Sequence, residues 1–387
     1  MTQLRGRPAA PPTRSARLLY VDNLRTALTA LVLVHHASIG YSNVPGWFYT
    51  DPSTDPSATL LDLLLVFDQA FFMGAFFLIS GLFVPGSYDR KGAGRFLRDR
   101  LWRLAMPLVL WLAVLLPLVT IGDYAAARDA AARQGAALPY REFYLSHFHL
   151  GPMWFVEVLL LFSAAYVLWR RMTGGGAHAA ASASAPAAGR APGAGAIIAF
   201  TVGLAVLTYL WRTVMPIGVS FLGLPSPGYL PQYVAMFIVG LIAARHGWLG
   251  ALPRAAGRAG FATAAVAGLV LLVVLFTARE ASFGHGTPTS LVMAFAETAF
   301  AVGMTLGLLV LFRERFSGQG RLGRWLSANA FAVYVIHALV LVALANALGD
   351  VEGIAVAKAA LLTGIGLPLC WVLGSVVRAL PGARKIL

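Results

Sequence analysis

Ten apolar stretches separated by polar or basic segments follow one another along the chain. A helix that crosses the hydrocarbon core of a bilayer needs about 20 mainly apolar residues, and each stretch is close to that length. The pattern predicts an all-α polytopic membrane protein with about ten transmembrane helices. The ten spans take up nearly the whole length, so no soluble catalytic domain is expected. The predicted spans are residues 19–40, 60–84, 101–121, 151–170, 195–214, 229–247, 260–278, 289–312, 326–348 and 354–378.

The composition agrees with this prediction. Of the 387 residues, 58% are hydrophobic and 12% are charged, and the mean hydropathy is +0.73. A soluble domain carries roughly 25% charged residues, so this chain has too few charges to coat a water-facing surface. The remaining apolar area is therefore expected to face lipid. A single cysteine, Cys370, leaves no disulfide framework and no cysteine-based metal site within one chain.

The net charge of +14 follows the predicted topology and does not indicate a nucleic-acid partner. With the N-terminus in the cytoplasm, the inner segments hold 23 Lys or Arg residues and the outer loops hold four. This asymmetry fits the positive-inside rule and predicts that both termini are cytoplasmic. The longest outer segment, roughly Gly122 to His149, is expected to be a polar loop. The predicted divisions are a basic N-terminal tail (1–18), a transmembrane domain (19–380) containing a flexible Gly/Ala-rich cytoplasmic linker (172–195), and a C-terminal tail (381–387).

The first span carries Asp22, Arg25, His35 and His36. Arg25 and His36 are separated by eleven positions, which places them within ~20° of the same helical face and ~16 Å apart along the axis. His35 points about 100° away from that face. An ionisable group in hydrocarbon costs several kcal/mol, so it needs a partner or a function. Histidine is well suited to take a hydroxyl proton near neutral pH, which makes His36 a candidate catalytic residue.

A structural role is equally compatible with these residues. Arg25 would then extend to the inner surface and pair with Asp22, and the histidines would mark the outer interface. Asp68, in the second span, lies at a depth comparable to that of His36 and could orient its imidazole. A hydrogen-bonding role for Asp68 with another helix is an equal alternative. The small residues that follow predict a helix-packing surface: Gly74, Ala75, Ser80 and Gly81.

A basic cluster between residues 90 and 103 holds six of the 23 inner charges. Arg100 and Arg103 share a helical face, and guanidinium groups bind phosphate through paired hydrogen bonds. The cluster therefore predicts a phosphate-binding patch, with a topology anchor on anionic lipid as the alternative. Other polar residues in or near the spans are expected to anchor the interface or to satisfy buried hydrogen bonds: Trp154, Glu157, Glu297, Tyr334 and His337.

The chain resembles the acyltransferase-3 family of bacterial integral-membrane acyltransferases, which O-acylate glycans, and is most similar to its glucan-biosynthesis-like, stand-alone branch. By that resemblance, His36 is the catalytic histidine, Arg25 is its partner on the same helix, and Arg100 and Arg103 face acyl-CoA. Many members carry an acidic residue where this chain has Leu159. The stretches that carry the resemblance are Tyr20 to Arg25 with His36, Phe71 to Gly81, Ser87 to Pro107, Gly151 to Phe155, and Ser327 to His337.

The resemblance implies transfer of an acyl group from cytosolic acyl-CoA to a hydroxyl of a cell-envelope or exported glycan, in the bacterial cytoplasmic membrane. Acyl-CoA is then a co-substrate, and no permanently bound cofactor or metal is expected. The expected partners are acyl-CoA, the glycan acceptor and the lipid bilayer. The competing class is a transporter or flippase of a glycan or lipid-linked substrate, which also needs polar groups near the midplane. Repeated halves with broken helices, often found in transporters, are not evident in this sequence.

Overall fold

The computed structural model describes residues 18–51, 55–174, 189–221 and 224–387. These residues are mostly α-helical, and their only β-type pairing is an isolated bridge between Phe221 and Leu224. The all-α prediction is therefore confirmed. The helices are α1 Leu19–Ile39, α2 Ala58–Arg100, α3 Met106–Leu110, α4 Leu116–Val119, α5 Ile121–Arg133, α6 Tyr140–Ser146, α7 Trp154–Met172, α8 Ala194–Arg212, α9 Leu230–His246, α10 Trp248–Ala251, α11 Arg254–Ser282, α12 Pro288–Arg315, α13 Arg321–Ala347 and α14 Ala355–Ala379.

Within the described residues, eight helical segments are long and apolar enough to cross a membrane. Helix α1 is not one of them, because the polar residues that it carries lower its hydropathy. By helix length and composition, the chain is a multi-pass membrane protein. The eight segments are Ala58–Val119, Gly151–Met172, Ala194–Arg212, Pro227–His246, Arg254–Ser282, Pro288–Arg315, Arg321–Ala347 and Ala355–Ala379.

The segment Ala58–Val119 bends sharply at Gly92. Gly92 has φ 72° and ψ 165°, a conformation that is accessible mainly to glycine. A straight helix of this segment's 62 residues would be about 93 Å long, roughly three times the thickness of the hydrocarbon core. The chain instead folds back. The contact between Tyr88 before the bend and Phe96 after it, with ring centres 5.8 Å apart, shows this change of direction. Four of the six basic residues of the cluster follow the bend, at the start of the returning arm: Arg95, Arg98, Arg100 and Arg103.

The segments that the charge pattern predicts to be cytoplasmic meet at one end of the bundle. Near the start of α1, the Asn23 side chain donates hydrogen bonds to the carbonyl oxygens of Phe316 (2.7 Å) and Gly318 (2.9 Å), after α12. Arg313, near the end of α12, donates to the carbonyl of Leu249 on α10 at 2.9 Å. We call this end of the bundle the basic end.

The segments that are predicted to lie outside meet at the opposite end. Lys358, near the start of α14, forms an ion pair of 2.7 Å with Asp51 in the loop after α1. In the same loop, the backbone N–H of Asn43 donates to the carboxylate of Asp62 on α2 at 2.8 Å. These contacts at both ends join segments that the sequence places on the same side. We call this end of the bundle the acidic end.

Three predicted segments compare differently with the structure. The stretch 122–149, expected to be an outer polar loop, contains the helices α5 and α6. The basic tail 1–17 and most of the predicted linker, residues 175–188, lie outside the described residues. In the predicted C-terminal tail, Ala383–Lys385 forms a 3-10 turn and Leu387 is buried against the bundle.

A buried ion pair joins α8 to α12. Both nitrogens of the Arg212 fork donate to the Glu297 carboxylate at 2.9 Å, and the Arg212 Nε donates to the carbonyl of Gly228 at 3.2 Å. The guanidinium also lies 4.8 Å from the centre of the Tyr229 ring. A buried pair is tolerated when its remaining hydrogen-bonding capacity is satisfied. The expectation that Glu297 satisfies a buried hydrogen bond is confirmed.

Helices α2 and α9 touch through their backbones. A Cβ atom added at Gly81 would lie 2.3 Å from the carbonyl oxygen of Phe237, and one added at Gly240 would lie 2.2 Å from that of Leu78. In lipid, small residues allow this close approach, and packing replaces the hydrophobic drive between helices. The packing surface predicted at Gly81 is therefore confirmed. It fixes how α2 is rotated relative to its neighbours.

We predict that Gly81→Ala lowers the thermal stability of the purified protein in detergent. The added methyl group must push α2 away from α9, and overpacking of this kind costs about 1–3 kcal/mol. The matched control is Gly364→Ala on α14, where a Cβ meets nothing within 4 Å and alanine favours the helix. Melting curves of the two variants test the prediction. Equal melting temperatures for Gly81→Ala and the unmodified protein would contradict it.

Candidate active site

A cavity of about 1520 Å³ lies inside the helical bundle. At the basic end its walls include Arg100 and Arg103, and at the acidic end they include Trp47 and His149. Arg25 and His36 also line it. One cavity therefore borders four of the five residues that the sequence singled out, although they belong to different segments of the chain.

The contribution of α1 to this cavity follows helical periodicity. Lining residues on one face recur at intervals of four and three positions: Arg25, Thr29, Val32, His36 and Ile39. This spacing describes one face of an α-helix, so the predicted alignment of Arg25 with His36 is confirmed. His35 borders the same cavity, although its position on the helix predicted that it would point elsewhere. The cavity is wide enough to reach the neighbouring face of α1, on which His35 lies.

His36 is surrounded by aromatic rings. Its imidazole stacks on Trp47 with ring centres 4.2 Å apart and on His337 at 5.0 Å, and it meets His35 edge-on at 5.4 Å. The Nδ1 atom of His36 is buried and has no hydrogen-bond partner among the described residues. Since His36 lines the cavity and its buried nitrogen is Nδ1, the nitrogen that is available to a molecule in the cavity is Nε2.

Asp68 lies beside His35, whereas the sequence suggested that it orients His36. The carboxylate oxygen Oδ2 is 3.7 Å from Nδ1 of His35, which is too long for a hydrogen bond. Both of these atoms are buried without a hydrogen-bond partner among the described residues. The predicted depth of Asp68 in the membrane matches that of the histidines. Asp68 contacts His35, not His36, because α2 packs against the side of α1 that carries His35.

His337 on α13 packs behind His36 and is completely buried. Its Nδ1 lies 2.6 Å from the carbonyl oxygen of Tyr334, and the Tyr334 hydroxyl donates to the carbonyl of Pro152. The expectation that His337 and Tyr334 satisfy buried hydrogen bonds is confirmed. Sequence reasoning missed that His337 also touches His36. Its Nε2 is buried and has no partner among the described residues.

Arg100 and Arg103 contribute to the cavity wall at the basic end. The Arg100 guanidinium lies 5.3 Å from the centre of the Phe96 ring, a cation–π contact that holds the half-buried side chain. Arg103 is exposed, in the short π-helical turn Leu101–Ala105 that follows α2. Both guanidinium groups therefore border the same space, as their predicted shared face requires.

Arg25 lies on α1 between these arginines and His36, and it forms an ion pair with Asp22 at 3.1 Å. This is the pairing that the structural interpretation of the sequence predicts. Arg25 nevertheless lines the cavity, so the ion pair and a role toward a bound molecule are compatible. The ion pair joins the guanidinium to a carboxylate three residues earlier on the same helix.

In the fourth predicted span, the structure shows which side chains face the cavity at the position where the resemblance leads one to expect an acid. Trp154 stacks on Tyr233 with ring centres 5.3 Å apart, and both line the cavity. Leu159 lines it too, whereas Glu157 is not among the described residues that do. The position at which many relatives have an acid therefore faces the cavity in this chain as an apolar side chain.

Two further residues near His36 were not singled out from the sequence. Trp47 lies in a Pro-Gly-Trp loop segment that looks like an interfacial anchor, and His149 lies in a stretch that was expected to be an outer loop. In the structure, Trp47 stacks on His36, and His149 stacks on Phe48 at 4.9 Å. A tryptophan and a histidine in outer segments were the only signal, and it does not specify which rings they contact.

The arrangement suits acid–base chemistry. Among the described residues, no group of three or more His, Cys, Asp or Glu side chains is placed to hold a metal ion. Several buried nitrogens and one carboxylate oxygen near the cavity have no hydrogen-bond partner: His35 Nδ1, His36 Nδ1, His337 Nε2 and Asp68 Oδ2. Such atoms are uncommon in folded proteins, where buried polar groups bond to protein or to ordered water, so each of these atoms calls for a partner.

The fold and this site define a multi-pass membrane protein with a histidine in an internal cavity. Residues 18–375 match the model of the acyltransferase-3 family, which is described as an acyltransferase domain. Because the match covers nearly the whole chain, the protein belongs to this family. The chain matches no curated protein and no solved structure.

Proposed function

We propose that the protein transfers an acyl group (acetyl, succinyl or a similar group) from cytosolic acyl-CoA to a hydroxyl group of a cell-envelope or exported glycan. It would do so as an O-acyltransferase of the bacterial cytoplasmic membrane. The observation that carries this proposal is the cavity, which is lined by Arg100 and Arg103 at the basic end and by His36 farther in. A charged donor and an acceptor can thus meet inside one space.

The proposal includes a topology of ten crossings with the basic end in the cytoplasm. Helix α1 supplies one crossing, because its 21 residues would span about 32 Å. The segment Ala58–Val119 supplies two, because it folds back at Gly92. The other seven apolar segments each supply one. The excess of Lys and Arg in the segments of the basic end supports this orientation.

Acyl-CoA would enter from the basic end. Its phosphates are polyanionic, and Arg100 and Arg103 offer two guanidinium forks at the cavity wall. The acyl thioester would then extend along the cavity past Arg25 toward His36, over the ~16 Å that separates these two residues on α1. Since the cavity is continuous between them, we propose direct transfer to the acceptor without a covalent acyl-histidine.

The chemical step would use Nε2 of His36 as a general base. This nitrogen takes the proton of the acceptor hydroxyl, and the hydroxyl oxygen attacks the thioester carbonyl carbon. The carbon–sulfur bond then breaks, and the leaving CoA sulfur takes the proton back from His36. The products are an ester on the glycan and CoA with a free thiol, so no oxidant or metal is required for the balance.

The acceptor would approach from the acidic end. There the cavity wall is aromatic, with Trp47, Phe48, His149 and Tyr229 among its residues. Flat aromatic faces provide apolar area together with a few polar atoms, as small-molecule sites usually do. Membership of an acyltransferase family favours this function over transport, and the transporter or flippase alternative has no comparable support.

The topology predicts which engineered cysteines an impermeant thiol reagent reaches in intact cells. In a Cys370→Ala background, we expect Ala136→Cys, between α5 and α6, to be labelled. Ser182→Cys in the Gly/Ala-rich linker should react only after the membrane is permeabilised. Labelling of Ser182→Cys in intact cells would overturn the proposed orientation.

We expect His36→Ala to abolish acyl transfer while leaving membrane insertion and thermal stability close to normal. The variant lacks the base, and general acid–base catalysis contributes about 10²–10⁴-fold to a rate. His35→Ala is the matched comparison and should retain substantial activity, because His35 faces Asp68. Both variants would be assayed with radiolabelled acyl-CoA and envelope glycan. Equal loss in the two variants would mean that the histidines act only as a structural unit.

The conservative variants Arg100→Lys and Arg103→Lys test the donor site. Lysine keeps the charge and the topology signal, but it cannot form the paired contacts of a guanidinium with phosphate. One charge-assisted contact is worth about 1.5–3 kcal/mol, or roughly tenfold or more in apparent affinity. We therefore expect a higher acyl-CoA concentration for half-maximal rate in both variants.

The control for this titration is Arg95→Lys, which changes an exposed arginine that is not among the cavity-lining residues. It should behave like the unmodified protein. Titration curves of Arg100→Lys and Arg103→Lys that coincide with those of the control would return these two residues to the role of topology anchors.

A further inference from the structure

The orientation of His36 imposes a requirement on its neighbours. For Nε2 to act as a base, it must carry a lone pair, so the single proton of the neutral ring must be on Nδ1. That Nδ1 is buried and has no hydrogen-bond partner among the described residues. When Nε2 takes a second proton, the positive charge spreads over the ring, and a hydrogen-bond acceptor at Nδ1 would stabilise it. An acceptor near Nδ1 would therefore favour His36 as the base.

His337 has the right chemistry to be that acceptor. A carbonyl oxygen can only accept, so the 2.6 Å contact with the carbonyl of Tyr334 places the proton of neutral His337 on its Nδ1. Its Nε2 is then a bare lone pair. This atom is buried and lacks a partner among the described residues. The centre of its ring lies 5.0 Å from that of His36, with 27° between the ring planes, which is farther than face-to-face contact and leaves room for the rings to meet through their edges.

The other groups near His36 fit this role less well. The indole of Trp47 can donate a hydrogen bond but cannot accept one through its nitrogen. Asp68 has its close ionisable contact with His35, at 3.7 Å. His35 meets His36 edge-on at 5.4 Å and itself faces that carboxylate. Of the neighbouring rings, His337 alone has its tautomer fixed by a backbone carbonyl so that an acceptor nitrogen is left over.

We propose that His337 is a positioning residue that accepts a hydrogen bond from Nδ1 of His36 and so directs Nε2 into the cavity as the base. The two nitrogens are not hydrogen-bonded to each other in the structure, but catalytic hydrogen bonds often tighten only when substrate is bound. His337 is not one of the residues that line the cavity, so it acts through His36. The inference rests on the proposed role of His36 in the reaction.

The test uses three variants of the full-length protein in detergent: His337→Phe, His337→Asn and His337→Gln. Phenylalanine keeps an aromatic ring on His36 but removes the acceptor. The amide oxygen of glutamine can reach the place of Nε2, whereas the shorter asparagine reaches only the place of Nδ1. Glutamine should therefore rescue the function, and asparagine should not.

The first measurement does not depend on acyl transfer. Diethyl pyrocarbonate acylates an unprotonated imidazole nitrogen, and mass spectrometry reports its rate of reaction at each histidine. We expect the rate at His36 to fall several-fold in the Phe and Asn variants and to recover in the Gln variant. Exposed His246, at the end of α9, is the internal reference and should react equally in all proteins. Because no substrate is present, this result can be read even if the proposed acyl transfer is wrong.

The second measurement is acyl transfer itself. Losing one hydrogen bond to a charged group should lower kcat about tenfold or more. The KM for acyl-CoA should stay the same, because the donor arginines are at the basic end. Recovery of kcat with Gln together with loss with Asn supports the proposal. Three variants that match the unmodified protein in both measurements would overturn it.

Two other outcomes also decide against the proposal. If the Phe, Asn and Gln variants are impaired to the same degree, His337 contributes packing only. If Asp68→Asn slows labelling of His36 while the His337 variants do not, the carboxylate is the orienting group. Should His337→Phe fail to fold, as judged by its melting curve, the comparison of Gln with Asn gives the same decision.

Discussion

The cost of placing ionisable side chains inside a membrane shapes this structure. Each such group must be enclosed by protein, and it then needs a partner or a function. The bundle meets this constraint in two ways. Arg212 and Glu297 pair with each other and leave little hydrogen-bonding capacity unused. Around His36 the opposite holds, because several buried polar atoms beside a large cavity lack partners within the described part of the chain. The first arrangement satisfies its charges internally, and the second is the one on which the proposed acyl transfer rests.

Enclosure of the cavity depends on backbone features that carry no chemistry. Gly81 and Gly240 let α2 and α9 approach closely, which fixes the position of α2, the helix that carries Asp68 and several cavity-lining residues. Gly92 allows the chain to bend, and the bend delivers Arg100 to the cavity wall. A polar site in a membrane protein thus requires small residues at some distance from it.

The sequence predicted the parts of the site that are local to one helix. Periodicity placed Arg25 and His36 on one face, and this face does line the cavity. Periodicity says nothing about how a helix is rotated against helices far away in sequence. The contacts of Asp68 with His35, and of His337 with His36, depend on such rotations. They were therefore either assigned to the wrong neighbour or missed. The helices α5 and α6 were missed because their polar surfaces resemble those of a loop.

The proposed partner of His36 is the imidazole of His337, and the cost of burying a charge favours an imidazole over a carboxylate at this position. A buried carboxylate without full hydrogen bonding is costly, because its charge must be removed from water. A neutral histidine held by the carbonyl of Tyr334 offers a lone pair at a much lower cost. Leu159, at the position where the resemblance places an acid in many relatives, likewise adds no charge to the cavity wall. In the proposed reaction, His36 is positively charged only while it holds the proton of the acceptor hydroxyl. The neutral His337 would stabilise that transient charge, so no permanently charged carboxylate is needed at this position in the membrane.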